Sequence, residues 1–382
     1  MPAFMNTLNL TMKSGAADRI ERLAQWTRVL CVLFFFSGFP ALIYQLTWQR
    51  TLFLIFGVNI ESVTIVVTAF MLGLGLGSLA GGWLSKRAAI PALPLLAAIE
   101  FLTGAFGLVS LAIFDKVGEF TIGLSLPSTA ALSLALVVVP TLLMGATLPV
   151  LVSHLVRRSG NIGSAVGLLY YVNTLGAGAA CLACAVLLFP FLGMSGSIYV
   201  AVAMNATVAL GALAAHWRNG SDAEPALHDA PPLPEQRTPS LGLATASALA
   251  AAGGFVSLSF EIFFFRTVSY ASGSSATAFA VTLSAFLVGL ASGARLAGER
   301  CETATRAATI RLAVNALMTA SLLGVVFLPL LDRLAWLDRG IVGVAMLMVY
   351  LVARFWGSLL PYLAAFSIAA NNRAGMQTAI LY

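Results

Sequence analysis

The longest uncharged stretch of the sequence is Ser159–Ala215, which reads SGNIGSAVGLLYYVNTLGAGAACLACAVLLFPFLGMSGSIYVAVAMNATVALGALAA. An α-helix needs about 20 apolar residues to cross the hydrocarbon core of a bilayer. The stretch is long enough for two such helices, with a turn predicted within Pro190–Ser197. It therefore predicts a polytopic membrane protein whose main partner is the lipid bilayer.

The composition of the whole chain supports this prediction. Of the 382 residues, 59% are hydrophobic and 9% are charged, whereas soluble domains carry roughly 25% charged residues. The net charge of +6 comes from 21 basic and 15 acidic residues. The basic residues are scattered in ones and twos, so no patch suited to nucleic acid is present.

The apolar windows predict ten spans, at approximately 29–49, 61–85, 90–114, 127–153, 164–188, 196–215, 241–265, 275–297, 308–331 and 341–368. With a cytoplasmic N-terminus, most lysines and arginines fall on the cytoplasmic side of these spans, as the positive-inside rule requires. The predicted location is a bacterial plasma (inner) membrane with the N-terminus in the cytoplasm.

The predicted domain organisation has four parts. Residues 1–28 form a cytoplasmic N-terminal segment, and residues 29–217 form a first membrane repeat of six helices. Residues 218–240 hold five prolines and four acidic residues, a composition that resists packing and predicts a cytoplasmic linker. Residues 241–382 form a second membrane repeat of four helices.

The two membrane parts resemble each other in sequence. Gly38–Gly82 aligns with Gly254–Gly298 without a gap, which places Arg50 on Arg266; we call this the Gly38 alignment. Gly145–Tyr170 aligns in the same way with Gly357–Tyr382, and we call this the Gly145 alignment. Both copies begin on the same side of the membrane by the charge count, so the repeat is parallel, as in major facilitator transporters.

The predicted fold is an all-α polytopic membrane protein of about ten transmembrane helices in two parallel, major-facilitator-like repeats, the second incomplete. Tyr382 corresponds to Tyr170, where the fifth span of the first repeat begins. Two interpretations stay open: a twelve-span protein truncated after ten spans, or a natural ten-span protein.

Four motifs resemble those of the spermidine-synthase-like membrane proteins, which join a major-facilitator-type membrane region to a spermidine synthase domain. They are SGFPALIYQ at Ser37–Gln45, followed by Trp48 and Arg50, then AFMLGLGLGS at Ala69–Ser78, MGATLP at Met144–Pro149 and GLLYYVNTLGA at Gly167–Ala177. The resemblance implies a polyamine or related amine as solute and a spermidine-synthase-like domain as partner.

The sequence departs from that family because it holds no hydrophilic stretch long enough for an aminopropyltransferase domain. Aminopropyl transfer needs a Rossmann-like sheet and a glycine-rich loop. We therefore expect no enzymatic activity from this chain alone and no cofactor. Cys181 and Cys184 lie in an apolar helix without a basic neighbour, so packing is favoured over redox or metal chemistry.

Several polar residues within the spans are candidates for a substrate or proton pathway. Pro40 predicts a kink in the first span, with Tyr44 and Gln45 about one turn later. Glu100 and Glu261 lie within spans, where carboxylates are costly and usually face a cavity or a partner. They are expected either to contact a cationic solute or protons, or to pair with arginines that orient the helices.

Three arginines complete the predicted set of charged residues. Arg50 and Arg266 occupy equivalent outer-end positions, where they act as snorkelling anchors or as a gate. Arg354 lies near the middle of its span and is a further candidate for the substrate or proton pathway. It needs a carboxylate or carbonyl partner there, for which Glu100 is the candidate.

The remaining candidates are neutral. Gly73, Gly77 and Gly81 share one helix face and predict close helix packing, or a sliding surface during transport. Asn173 is expected to hydrogen-bond between helices or to contact the solute. The histidines predict no metal site.

Two functions follow from these patterns. The first is transport of a polyamine or another small polar solute. The second is a membrane anchor or regulatory module for a spermidine-synthase-like aminopropyltransferase, which would be inactive as an enzyme on its own.

Overall fold

The structure is a computed structural model that describes residues 2–56, 60–87, 91–123, 125–218, 241–271, 276–303, 305–334, 340–371 and 373–382. All regular elements in these ranges are helices. Except for Arg218, the predicted linker lies outside the described residues, as do Gly57 and Gly273 of the Gly38 alignment.

The helices are α1 (Pro2–Phe56), α2 (Ile60–Leu84), α3 (Ala92–Phe120), α4 (Leu126–Ser159), α5 (Ile162–Ala183), α6 (Phe189–Arg218), α7 (Leu243–Ala271), α8 (Ala276–Thr303), α9 (Arg306–Arg333), α10 (Gly340–Gly357), α11 (Leu359–Ser367) and α12 (Ala374–Leu381). A π-helical turn, Cys184–Leu188, joins α5 to α6. We call α1–α6 the first repeat and α7–α12 the second repeat.

Nine helical stretches within the described ranges are long and apolar enough to cross a membrane. Eight of them match single predicted spans. The ninth, Ile162–Arg218, contains the other two predicted spans in one helical stretch of 57 residues. If this long stretch crosses the membrane twice, the described ranges contain the ten spans that the sequence predicts.

The chain reverses direction within that stretch at Gly193. Its φ of 65° lies in the left-handed region, which glycine adopts without a Cβ clash. Asn173 of α5 lies against Gly38 of α1, and Asn205 of α6 bonds to Tyr44, further along α1. Because a straight helix would separate the two asparagines by about 48 Å, α5 and α6 must form a hairpin, as the sequence predicted.

Pro40, where the sequence predicts a kink, does not interrupt the first helix. The proline lies inside α1, which continues as one helix from Pro2 to Phe56. Membrane helices tolerate an internal proline because neighbouring helices can satisfy the freed backbone groups. The polar residues that follow Pro40 are therefore presented by a continuous helix and not by a broken one.

Equivalent helices of the two repeats pack in equivalent ways. Helix α2 packs on α4, and α8 packs on α10. At the first crossing, a Cβ at Gly77 would overlap the carbonyl oxygen of Leu142. At the second, a Cβ at Gly293 would overlap the carbonyl oxygen of Arg354. The two crossings correspond, because the Gly38 alignment pairs the glycines and the Gly145 alignment, continued toward the N-terminus, pairs Leu142 with Arg354.

The repeats also join each other through equivalent contacts. Helix α5 packs on α8, and α12 packs on α2. Gly167 of α5 meets Gly298 of α8, while Ala379 of α12 meets Gly82 of α2. The two alignments map the first of these pairs onto the second. The interface between the repeats is therefore itself approximately two-fold symmetric.

Apolar clusters lie toward both ends of the helix bundle. The end where α6 stops and α7 begins, which we call the linker end, holds a cluster that includes Leu96, Leu155 and Leu363. Toward the opposite end, Trp48, Phe70 and Leu283 belong to a second cluster. Both clusters contain residues of both repeats, and the candidate site lies between them.

Candidate functional site

A central cavity of about 360 Å³ lies between the two repeats. This volume falls within the range of about 300–1,000 Å³ that small-molecule sites occupy. All helices of the described chain except α9 contribute to its wall. The polar lining residues include Ser37, Gln45, Glu100, Thr103, Thr147, Tyr170, Asn173, Thr174, Asn205, Ser257, Glu261, Trp356 and Tyr382.

Glu100 is the most buried carboxylate of this wall, at 3% exposure. Ser37 of α1 donates its hydroxyl hydrogen bond to Glu100 Oε1. Asn205 of α6 donates from Nδ2 to Glu100 Oε2 over 2.6 Å. Both donors are neutral, so they stabilise the carboxylate without cancelling its charge.

Tyr44 determines how the Asn205 amide is oriented. Its hydroxyl donates to Asn205 Oδ1 over 2.8 Å, which leaves the amide NH₂ directed at Glu100. The Tyr44 ring stacks on Trp48 with centroids 5.0 Å apart, and Trp48 Nε1 donates to Ser110 Oγ over 2.9 Å. Three helices, α1, α3 and α6, are thus tied together by one polar network.

Two glycines of α3 make room for this network. A Cβ at Gly107 would lie 2.5 Å from the Tyr44 ring, and a Cβ at Gly104 would lie 3.1 Å from the Asn205 Cβ. Small residues at such crossings let membrane helices approach closely. The network therefore depends on these glycines as well as on its polar members.

Gln45 and Glu261 form the second polar region of the cavity wall. They occupy equivalent positions of the two repeats in the Gly38 alignment. Both line the central cavity, and both also line a small adjoining cavity of about 20 Å³. One carboxamide and one carboxylate therefore line the same cavities from equivalent positions of α1 and α7.

Asn173 lies on the cavity wall where α5 approaches α1 closely. A Cβ at Gly38 would overlap the Asn173 carbonyl oxygen. Tyr170, one turn earlier on α5, packs edge-on against Tyr382 with centroids 6.4 Å apart. These two tyrosines are also repeat equivalents, and both line the cavity.

The ion pair expected between Arg354 and Glu100 is absent. Both oxygens of Glu100 accept from Ser37 and Asn205, and no described cation forms an ion pair with this carboxylate. The backbone of Arg354 packs on Gly293 of α8, and Arg354 is not among the residues that line the cavity. Sequence spacing placed both residues within the membrane but could not show which wall each one faces.

The two arginines that the repeat aligns have different surroundings. The Arg50 guanidinium lies 3.9 Å from the centroid of the Phe189 ring, at the start of α6. Arg266, by contrast, is exposed. Neither arginine lines the central cavity.

The glycine face of α2 packs against α4. Gly73 lies against Thr141, Gly77 against Leu142 and Gly81 against Ala146. In each case a Cβ would overlap an atom of α4, so the two helices are in backbone contact. The three glycines line up along one crossing and contribute no group to the cavity wall.

Two buried polar groups of the cavity wall have no hydrogen-bond partner within the described chain. They are the Thr103 hydroxyl, one turn from Glu100, and the Trp356 indole N–H. Buried polar groups are seldom left unpaired, because an unmade hydrogen bond costs about 1–3 kcal/mol. Both residues line the central cavity, which places these unpaired groups next to the space where a solute would bind.

Sequence reasoning missed Asn205, Ser37, Thr103 and Trp356. A signal for Asn205 was available, since it is the only Asn, Gln or charged residue between 196 and 215. Serine, threonine and tryptophan are common in membrane helices, so the other three carry no comparable signal. No group of three or more potential metal ligands occurs within the described ranges.

Comparisons with known proteins identify the fold. The sequence matches no family model and no curated protein. The structure is similar to the major facilitator superfamily proton:xylose symporter XylE, with a TM-score of 0.55 and 15% identity over 94% of this chain and 85% of that chain. The protein therefore has a major-facilitator-type fold.

Two peptide transporter structures of the POT family are also similar, each with a TM-score of 0.43. One is PepTSo, at 13% identity over 94% of this chain and 87% of that chain. The other is an auto-inhibited POT family peptide transporter, at 16% identity over 94% of this chain and 86% of that chain.

Proposed function

We propose that the protein is a membrane transporter that binds a small amine-bearing solute in the central cavity, with Glu100 attracting the positive charge. The observation that carries the proposal is the environment of Glu100. The carboxylate lines the cavity, is almost fully buried, and has only neutral hydrogen-bond donors within the described chain. Carboxylates within membrane spans are costly and rare, and they usually mark a substrate or ion pathway.

The resemblance to spermidine-synthase-like membrane proteins supports a polyamine or a related amine as the solute. Glu261 provides a second carboxylate on the opposite repeat, which suits a solute with more than one cationic group. The distribution of basic residues supports a cytoplasmic N-terminus, with both the linker and residue 1 on that side.

Uptake into proteoliposomes tests the proposal. The full chain is reconstituted, and accumulation of radiolabelled spermidine is compared with empty liposomes. Glu100→Gln removes the charge at nearly constant volume and is expected to lower uptake at least tenfold, because hydrogen bonds to charged groups contribute about 1.5–3 kcal/mol. If liposomes that contain the wild-type protein accumulate no more spermidine than empty liposomes, the protein does not transport spermidine.

A matched control variant is Glu299→Gln. Glu299 is exposed on α8 and pairs with Arg295 over 2.9 Å, away from the cavity wall. Its uptake should equal that of the wild type. If Glu100→Gln also transports normally, Glu100 is not the solute-binding carboxylate.

The second candidate function is a membrane anchor or regulatory module for a spermidine-synthase-like aminopropyltransferase. The motifs at Ser37–Gln45 and Gly167–Ala177 favour it, because they resemble the membrane region of such fused proteins. Stable co-purification with an aminopropyltransferase domain, together with absence of uptake, would favour this function over transport.

A further inference from the structure

Trp356 forms part of the cavity wall in the second repeat. It lies at the end of α10, and its ring is 3.6 Å from the position of a Cβ at Gly253 of α7. Gly253 is the repeat equivalent of Ser37, the residue that donates to Glu100. The indole and the carboxylate are therefore placed against equivalent positions of α7 and α1, on opposite repeats.

The polar atom of Trp356 has one chemical capability. An indole N–H is a hydrogen-bond donor and cannot accept. Trp356 is 9% exposed, and its Nε1 has no partner within the described chain. The ring itself is held by packing, with its centroid 6.4 Å from that of Phe260.

An amine cannot complete this site by itself. A protonated amine has only donors, so it matches Glu100 and Glu261 but leaves the Trp356 N–H unpaired. A carbonyl oxygen can accept from the indole. A site with carboxylates and an unpaired buried donor thus matches a solute that carries both a cationic amine and a hydrogen-bond acceptor.

We propose that the solute carries a hydrogen-bond acceptor such as a carbonyl oxygen in addition to its cationic amine, and that Trp356 binds this acceptor. The inference rests on the proposed function, since it names a further property of the solute for the same cavity. It assigns the amine to the carboxylates and the acceptor to the indole of the second repeat.

Two probes with the same carbon chain test this assignment. They are 1,4-diaminobutane, which has no acceptor when protonated, and N-acetyl-1,4-diaminobutane, in which an amide carbonyl replaces one cation. Affinities for the purified full chain in nanodiscs are measured by calorimetry. Trp356→Phe keeps an aromatic ring but removes the N–H, and Trp217→Phe, at an exposed position of α6, is the matched control.

We expect Trp356→Phe to weaken binding of the acetylated probe by about two- to tenfold, the effect of one neutral hydrogen bond. Binding of 1,4-diaminobutane should weaken clearly less, because this probe offers the indole no acceptor, and measurable binding also shows that the variant is folded. Trp217→Phe should alter neither affinity, and Glu100→Gln should weaken both probes.

Other results overturn the assignment. If Trp356→Phe weakens both probes equally, or neither, the indole does not bind an acceptor. If the wild type binds 1,4-diaminobutane but rejects the acetylated probe, the inference fails while the proposed function stands. Binding of neither probe, together with no spermidine uptake, contradicts both.

A second measurement covers a Trp356→Phe variant that does not fold. Ultraviolet resonance Raman spectra of the wild type report hydrogen bonding of indole N–H groups. The acetylated probe should shift one indole signal and 1,4-diaminobutane should not. Identical spectra with the two probes would contradict the assignment.

Discussion

The two repeats share their helix packing but differ in how their first and third helices are covered. In the first repeat, 44% of the most apolar window of α1 and 44% of that of α3 are buried. The corresponding values are 11% for α7 and 17% for α9. Helix α6 packs on both α1 and α3, and no described helix occupies the equivalent place beside α7 and α9.

Equivalent residues show the same difference. Phe39 of α1 is partly buried, whereas its counterpart Phe255 is 74% exposed. Ile43 is fully buried, whereas its counterpart Ser259 is exposed. Phe39 and Phe255 are the same residue type, so their different exposure arises from the neighbouring helices. Ile43 and Ser259 also differ in polarity, so composition contributes to the second difference.

Within the described residues, the polar network around Glu100 belongs to the first repeat and has no counterpart in the second. Tyr44 and Ser37 correspond to Phe260 and Gly253, which offer no side-chain hydrogen bond. Gly107 and Gly324 make equivalent contacts, because the Tyr44 ring packs against Gly107 and the Phe260 ring packs against Gly324. When these two glycines are aligned, Glu100 corresponds to Leu317. A buried carboxylate in a membrane needs donors from several helices, and α6 supplies one of them.

Substitution of Asn205 should have the largest effect on stability. Asn205→Leu removes the donor to Glu100 and the acceptor of Tyr44, so both are left underpaired in a buried place. We expect a loss of about 2–3 kcal/mol. Thermal unfolding in detergent measures it, with Thr207→Val, which alters an exposed hydroxyl bonded to its own helix, as the control.

A double-mutant cycle separates the network from simple packing. If Asn205 acts through Glu100, then Asn205→Leu should cost clearly less in a Glu100→Gln background than in the wild type. Additive effects of the two substitutions would show that they contribute independently, contrary to the network described above.

Alanine should destabilise the protein at Gly38 but not at the equivalent Gly254. A Cβ at Gly38 would overlap Asn173, and forced repacking typically costs about 1–3 kcal/mol. A Cβ at Gly254 meets nothing within 4 Å, so Gly254→Ala should be neutral or slightly stabilising. Unfolding midpoints of the two variants are measured side by side. The midpoint of Gly38→Ala should lie below that of the wild type, and the midpoint of Gly254→Ala should equal or exceed it.

The smallest effect is expected for the equivalent arginines. Arg50→Ala loses the contact with the Phe189 ring, worth about 0.5–1 kcal/mol for an ordinary cation–π pair. Arg266→Ala should change the unfolding midpoint less, because Arg266 is exposed. Equal shifts for the two variants would show that the covering by α6 does not distinguish these positions.

Much of the fold could be predicted from one sequence. Apolar length identifies a membrane helix because the bilayer sets that length, and this located the spans, including both helices within Ile162–Arg218. The Gly38 and Gly145 alignments revealed the two parallel repeats. The same alignments relate helix contacts such as Gly77–Leu142 and Gly293–Arg354.

The candidate site was less predictable. Glu100, Glu261, Gln45 and Asn173 could be selected, because polar groups within a span are costly and few. Their partners could not, and the expected Arg354–Glu100 pair is replaced by Ser37 and Asn205. Asn205 is far from Glu100 along the chain, and only the crossing of α3 by α6 brings them together.

The sequence by itself determined that the chain is a membrane protein, which segments cross the membrane, and that the chain contains an internal repeat. These properties depend on hydropathy and on self-similarity, which are read along the chain. The tertiary structure alone decided which face of each helix meets the cavity, that Tyr44 directs the Asn205 amide to Glu100, and that Trp356 of the second repeat lines the same cavity. Such contacts depend on helix rotation and crossing, and a single residue of rotation, about 100°, would turn each side chain to another neighbour.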